Sequence, residues 1–293
     1  MHPPVAIAGA GPVARALGRL MSEHGTPIVA VASRSRAQAD AAAAFIGPNV
    51  RAVTWADIPR LAERVLVAVS DDAITPVARA LAGAGMRTGI ALHTCGAKGP
   101  DALEPLRVHG VACGMMHPLQ TIVSPEQGVK RLHGITFGVA GDESAVVWAS
   151  AIVAQLGSRT LLVPADRLSS YHAGAVMASN AIVAVVDAAT ALLAQAGVEP
   201  AAARRALEPL CREALDNVLA NGARSALTGP VARGDATTVA THLDALAGAP
   251  PTVAALYQAV ARHLVEIAKE RGLADASTRA LESALDVVRG VRL

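Results

Sequence analysis

The chain of 293 residues predicts a two-part α/β protein, with a doubly wound sheet over residues 1–163 and an all-helical domain over 164–293. Three observations predict it. Apolar runs of strand length alternate with helical patterns through the first half. The first run, Val5 to Ala8, ends in a glycine turn that leads straight into a helical pattern. Beyond Val163 the strand signal stops and only helical patterns follow.

The strand candidates are 4–8, 28–33, 51–54, 64–69, 89–93, 111–116, 135–140 and 159–163, separated by glycine, proline or charged residues. Pro164-Ala165-Asp166 reads as a helix start with Asp166 as N-cap, and the pattern runs to about Ala196, where Gly197 stops it. At 1.5 Å per residue that helix is roughly 45 Å long. It is too long merely to cover a sheet, and serves as a spine for a second domain or a partner subunit. Helical patterns continue at 200–220, 235–247, 251–272 and 275–290.

Composition narrows the function classes. Hydrophobic residues make up 52% and charged residues 17%, enough for a large core. Phe, Trp and Tyr occur only twice each, so the core is built from Ala, Val and Leu, and rings for stacking on nucleic acid bases are missing. A net charge of +2 carries no polyanion signal. Cys95, Cys113 and Cys211 are isolated and odd in number, which points to a reducing compartment without a disulfide framework. The start of the chain has no basic region followed by a signal-type apolar segment. The most apolar helix, near 181–197, is interrupted by Asp187 and Gln195, which argues against a membrane span of about 20 residues. A soluble cytoplasmic protein that binds neither membrane nor nucleic acid is expected.

Gly9-Ala10-Gly11-Pro12-Val13-Ala14 has the order of a dinucleotide-binding turn. Gly9 permits the tight turn, and Gly11 lets a pyrophosphate approach the backbone. Ala14 is small enough for the helix to pack on the strand. The first helical turn, with Pro12 and Val13, then directs its free N–H groups and positive dipole end at the phosphates. The second strand ends in Ser33-Arg34-Ser35-Arg36, where an NAD site would carry a carboxylate. Guanidinium forks and hydroxyls suit a 2′-phosphate, so the expected cofactor is NADP(H). The alternative is a basic turn with Arg34 and Arg36 in solvent.

In such sheets ligands sit beyond the carboxyl ends of the strands. Ser70 and Asp71 end the fourth strand and can bond the nicotinamide ribose, with Asp72 capping the next helix; alternatively they are only turn residues. His93-Thr94-Cys95-Gly96 ends the fifth strand and His117-Pro118-Leu119-Gln120 the sixth. Two histidines at neighbouring strand ends converge on one cleft and can shuttle protons near neutrality. Alternatively each imidazole only ties down loop backbone. No third ligand has metal-site spacing, so no metal is expected. Nothing near Cys95 in sequence lowers its pKa, and it reads as a small buried thiol rather than a nucleophile. His172, Val176 and Asn180 lie four apart on the long helix. If that face looks into the interdomain cleft, His172 and Asn180 point at substrate; otherwise they are a buried polar pair. Thr228 to Asp235 interrupts the helical half, with Asp235 as an N-cap, and Arg233 there can hold a substrate carboxylate or merely decorate a loop.

These segments together resemble the Rossmann-like proteins that carry the domain of unknown function 2520. The residues that carry the resemblance are Gly9-Ala10-Gly11, Ser70-Asp71-Asp72, His93 to Gly96, His117 to Gln120, Tyr171-His172 through Asn180, and Thr228-Gly229-Pro230 through Asp235. The family is related to pyrroline-5-carboxylate reductase, ketopantoate reductase and the 6-phosphogluconate dehydrogenase group. The resemblance implies an N-terminal NADP-binding domain, a C-terminal helical domain like that of 6-phosphogluconate dehydrogenase, and a homodimer built on the helical half. It implies no particular substrate. Related hydroxyacid dehydrogenases carry a Lys four residues before the Asn on the interdomain helix; here that position is Val176. The lysine acid/base mechanism therefore does not transfer. His172 is the first candidate proton donor, His117 the second.

The expected activity is an NADPH-dependent reduction of a C=O or C=N bond in a small carboxylated metabolite. In that expectation His172 or His117 protonates, Asn180 orients, and Arg233 and Gln120 hold the substrate. The competing expectation is a non-catalytic NADP-binding sensor or scaffold.

Overall fold

The computed structural model describes residues 3–286. The chain divides into two compact units, Met1–Ser179 and Asn180–Leu293. The division falls within a helix, beyond the position expected from the loss of strand signal. The reason lies in the first turns of that helix. Leu168 and Tyr171 pack with Met115, Ala140 and Val163 of the sheet region, so this part of the helix belongs to the first unit.

All eight expected strands form: β1 (Val5–Ala8), β2 (Ile28–Ala32), β3 (Arg51–Val53), β4 (Arg64–Val67), β5 (Ile90–His93), β6 (Ala112–Pro118), β7 (Thr136–Gly141) and β8 (Arg159–Leu162). They make one sheet in the order β3-β2-β1-β4-β5-β6-β7-β8. The strands from β1 to β6 are parallel, but β7 runs antiparallel to β6, and β8 is parallel to β7. The sheet is therefore mixed at one edge. The helices of this unit are α1 (Pro12–Glu23), α2 (Arg36–Ile46), α3 (Ile74–Gly83), α4 (Glu104–Arg107), α5 (Pro125–Arg131), α6 (Glu143–Gln155) and the start of α7 (Leu168–Gln195). Alternation along β1 feeds two cores. Val5 and Ile7 join Leu17, Leu20 and Met21 on one face. Ala6 and Ala8 join Ile74 and Leu81 on the other. Both faces are covered, which is why β1 reads as an unbroken apolar run.

The second unit continues α7 and adds α8 (Pro200–Ala226), α9 (Gly229–Arg233), α10 (Ala236–Ala245), α11 (Pro251–Glu270) and α12 (Asp275–Asp286). Its core gathers Val231, Val239, Ala261, Val265, Leu281 and Leu285. The pattern expected over 275–290 extends past the described residues. The 228–235 stretch contains the short helix α9, ended by Gly234 in the left-handed conformation, with Asp235 capping α10 through its carboxylate and the Thr238 N–H at 3.0 Å.

One detail corrects the expected start of α7. Asp166 lies inside a single 3-10 turn, Ala165–Arg167, rather than acting as the helix N-cap. Along α7 itself only Leu168 is buried, while Met177 is 68% and Val183 70% exposed. By length and composition alone, Ala165–Gln195 is apolar enough to cross a membrane.

Candidate active site

A cleft of 460 Å³ opens at the carboxyl ends of β1, β2, β4 and β5. This is where the strand order reverses, β1 being flanked by β2 on one side and β4 on the other. Gly9 makes the floor possible. Its φ is +133°, and a Cβ there would stand 2.0 Å from the Ala68 carbonyl oxygen, so only glycine lets β1 turn against β4. Gly11 is the opposite case. No atom lies within 4 Å of where its Cβ would be, and it lines the cleft at the start of α1. Its missing side chain keeps the approach to the helix N-terminus open. Pro12 occupies the first helical position, where an N–H is not needed, and no side chain caps the helix. The first-turn N–H groups are thus left for an anion. Ala14 is buried as expected, but closest packing falls to Gly18, whose Cβ would meet Ile7 Cδ1 at 2.6 Å.

Most of the residues singled out in the sequence line this cleft: Gly9, Gly11, Pro12 and Val13 on one wall, Ser33 and Arg34 at the β2 end, Ser70, Asp71 and Thr94 at the β4 and β5 ends. Trp55, which the sequence did not suggest, lines it as well. The two arginines after β2 part company. Arg34 faces the cleft, whereas Arg36 pairs with Asp40 at 3.0 Å on the solvent side of α2. Ser35 is the N-cap of α2, its hydroxyl accepting from the Gln38 N–H. Asp72 does not cap α3, whose N-cap is Ala73; its carboxyl is held below the usual range first by the Ser70 hydroxyl.

The fifth-strand histidine lies beneath the cleft rather than in it. His93 is fully buried. Its Nδ1 accepts from the Cys95 N–H at 3.3 Å, and Nε2 lies 2.9 Å from the Gly99 carbonyl, to which it donates. Both ring nitrogens are therefore taken by backbone, and burial lowers its pKa to about 4. This is the backbone-tying alternative, and it leaves His93 no atom for a cofactor. The Cys95 thiol lines the cleft, but burial and then its hydrogen bond to Asp71 push it up to about 11. A thiol so shifted is not a nucleophile near neutrality.

His117, near the end of β6, is different. Its Nδ1 lies 2.9 Å from the Tyr171 hydroxyl, and the two rings meet edge to face. The His172 ring is 6.1 Å away, centroid to centroid. Burial first, and then the neighbouring His172, bring His117 down to about 4. Two glycines make room for this arrangement. A Cβ on Gly96 would press within 2.6 Å of the His117 ring, and one on Gly138 would sit 2.1 Å from the Tyr171 oxygen. The structure thus brings His117, Tyr171 and His172 together. Gln120, two residues after β6, is exposed, its side-chain oxygen accepting from the Thr121 N–H. Asn180 is exposed and opens the second unit, where Arg233 is also exposed at the end of α9.

Comparison with known proteins supplies the family. Residues 2–118 match the Rossmann-like domain, and residues 135–264 match the domain of unknown function 2520. No curated protein matches the chain. Among solved structures, protein TM1727 from Thermotoga maritima is 23% identical, with a TM-score of 0.74 over 91% of this chain and 98% of that one. BF3122 from Bacteroides fragilis, provisionally named an NADP oxidoreductase, is 24% identical, with a TM-score of 0.72 over 90% of this chain and 98% of that one. The pyrroline carboxylate reductase of Plasmodium falciparum, solved with NADP bound, is 11% identical, with a TM-score of 0.57 over 95% and 98%. At these identities the likeness is one of fold.

Proposed function

We infer that this chain, which belongs to the Rossmann-like proteins with the domain of unknown function 2520, is an NADPH-dependent reductase of a C=O or C=N bond in a small carboxylated metabolite. The single observation that carries the reading is the cleft. It combines an open glycine at an uncapped helix N-terminus with a cleft-facing arginine where the ribose is read. These residues fit a dinucleotide phosphate. The N–H groups of the first turn of α1 hold the pyrophosphate, Arg34 and Ser33 hold the 2′-phosphate, and Ser70, Asp71 and Thr94 hold the second ribose. That structurally similar proteins include one solved with NADP supports the reading.

When bound, the cofactor supplies the hydride. The chain supplies the rest: orientation, exclusion of water and a proton. Val176 replaces the lysine of the related hydroxyacid dehydrogenases. His172, beside His117, is the group we assign to proton delivery. The test is a screen of 2-keto acids and cyclic imines, followed by the loss of NADPH absorbance. Turnover that falls at least about 100-fold in His172→Ala supports the assignment. Undiminished turnover in that variant removes it.

A non-catalytic NADP-binding module is the second reading, favoured by Val176. Saturable NADPH binding with no turnover across the screen selects it.

We further propose that the protein is a cytoplasmic homodimer joined through its helical domain. The motivation is the apolar surface of that domain, with Val183 on α7 70% and Leu219 on α8 76% exposed. A dimer by sedimentation that becomes a monomer in Val183→Glu supports this, and a monomeric wild type contradicts it.

A further inference from the structure

The sequence marks His117 as one of several polar residues at strand ends, and the proposed function leaves its partner on α7, Tyr171, without a role. The geometry around this pair is specific. His117 and Gly138 are directly opposed on β6 and β7. The absent side chain of Gly138 leaves the hole in which the Tyr171 hydroxyl sits. The Gly138 backbone is taken up by the β6–β7 ladder, opposite His117. A neutral phenol with one polar partner that can accept satisfies its O–H by donating to it. That partner, among the described residues, is His117 Nδ1, at 2.9 Å. Burial keeps the phenol protonated, its pKa pushed up to about 12, and keeps the imidazole neutral above about 4. A neutral imidazole whose Nδ1 accepts carries its proton on Nε2.

Nε2 makes no hydrogen bond to the described residues, and it is not among the buried atoms left without a partner. The ring lies against Gly96, next in the chain to Cys95, which lines the cleft. Asp71 and His93 of the same strand ends, and His172 of α7, are the other titratable groups that act on it.

We propose that Tyr171 is a positioning residue that fixes His117 as the Nε2–H tautomer, so that His117 presents a fixed hydrogen-bond donor to the substrate oxygen or nitrogen while His172 carries the proton. The division rests on the reductase reading for its substrate. It separates two histidines that the sequence could only rank as first and second candidates. A neutral donor polarises a C=O or C=N bond without itself being consumed. It also engages Nδ1, which favours one ring orientation over the flipped one.

Nitrogen NMR of the intact protein, labelled with ¹⁵N-histidine, tests this. The His117 signals are assigned by their loss in His117→Asn. The wild type is expected to show His117 as a single neutral Nε2–H tautomer throughout pH 5.5 to 8, well above its pKa of about 4. In Tyr171→Phe the two ring-nitrogen shifts should move toward each other as the tautomers mix. A wild-type His117 protonated on Nδ1, or charged near pH 6, overturns the proposal. So does a Tyr171→Phe protein whose His117 tautomer is unchanged. NADPH titration of the same wild-type sample is scored separately. Failure to bind would sink the reductase reading while leaving the tautomer result standing.

Discussion

A Cβ added to Gly9 would lie 2.0 Å from the carbonyl oxygen of Ala68, whereas one added to Gly11 would meet nothing within 4 Å. The first relationship is between two strands, and the second between the chain and whatever enters the cleft. The two glycines should therefore fail in different ways.

Gly9→Ala forces an L-residue into φ +133° and a backbone clash. Strain of this kind costs on the order of 1–3 kcal/mol, and the clash adds to it. The expected result is a lower urea midpoint or loss of soluble protein. Gly11→Ala should keep the wild-type stability within about 1 kcal/mol, since Gly11 already has extended backbone, φ −74°. It should lose NADPH affinity instead. Equal losses of stability in the two variants would contradict the assignment.

Stability should fall with acid in a defined window. The His93 pKa is lowered from 6.5 to about 4, chiefly by burial. Between those values the unfolded chain binds a proton that the folded chain does not, so stability rises with pH across the window. The contribution is fully present above 6.5 and is lost as pH falls toward 4, at most about 3 kcal/mol for this residue. Urea unfolding at pH 7 and pH 5 checks it. His93→Leu should be less stable at pH 7, because the Gly99 carbonyl and the Cys95 N–H lose their partner, and should show a shallower slope between the two pH values.

Thiol reactivity should follow burial. Cys95 and Cys113 are buried, with pKa values pushed up to about 11 and 12, while Cys211 is half-buried on α8. Limited alkylation at pH 7.5, read by peptide mass spectrometry, should modify Cys211 first. Faster modification of Cys95 would mean that the thiol beside Asp71 is activated rather than suppressed.

Much of the fold was legible because its signals are local. The central strands of the sheet announce themselves as apolar runs, and the Gly9 to Ala14 turn carries its own geometry. The direction of β7 was not legible, since an apolar run reads the same whichever way the strand points. The end of the first unit was hidden for a related reason. The first turns of α7 look like the rest of that helix in sequence, and only their contacts with Met115 and Ala140 assign them to the sheet. At the site, glycines and strand-end residues could be placed by position alone. The separation of Arg34 from Arg36 has a local signal as well, Asp40 standing four residues after Arg36 on the same helix. The different fates of His93 and His117 could not be placed in this way. One ring is closed off by its own loop, at Cys95 and Gly99, and the other is held by a tyrosine from α7. That second contact spans 54 residues and depends on a glycine in a third element, so no local pattern encodes it.

The central claim is that the cleft is an NADP(H) site read by Arg34, and fluorescence titration with NADPH and NADH tests it most directly. We predict that NADPH binds more tightly than NADH and that Arg34→Ala weakens NADPH by roughly 10- to 100-fold, the loss expected for one charge-assisted phosphate contact. Arg36→Ala should leave both affinities nearly unchanged, because Arg36 is engaged with Asp40. Equal affinity for the two nucleotides, or an Arg34→Ala variant that binds NADPH as well as the wild type, would contradict the claim.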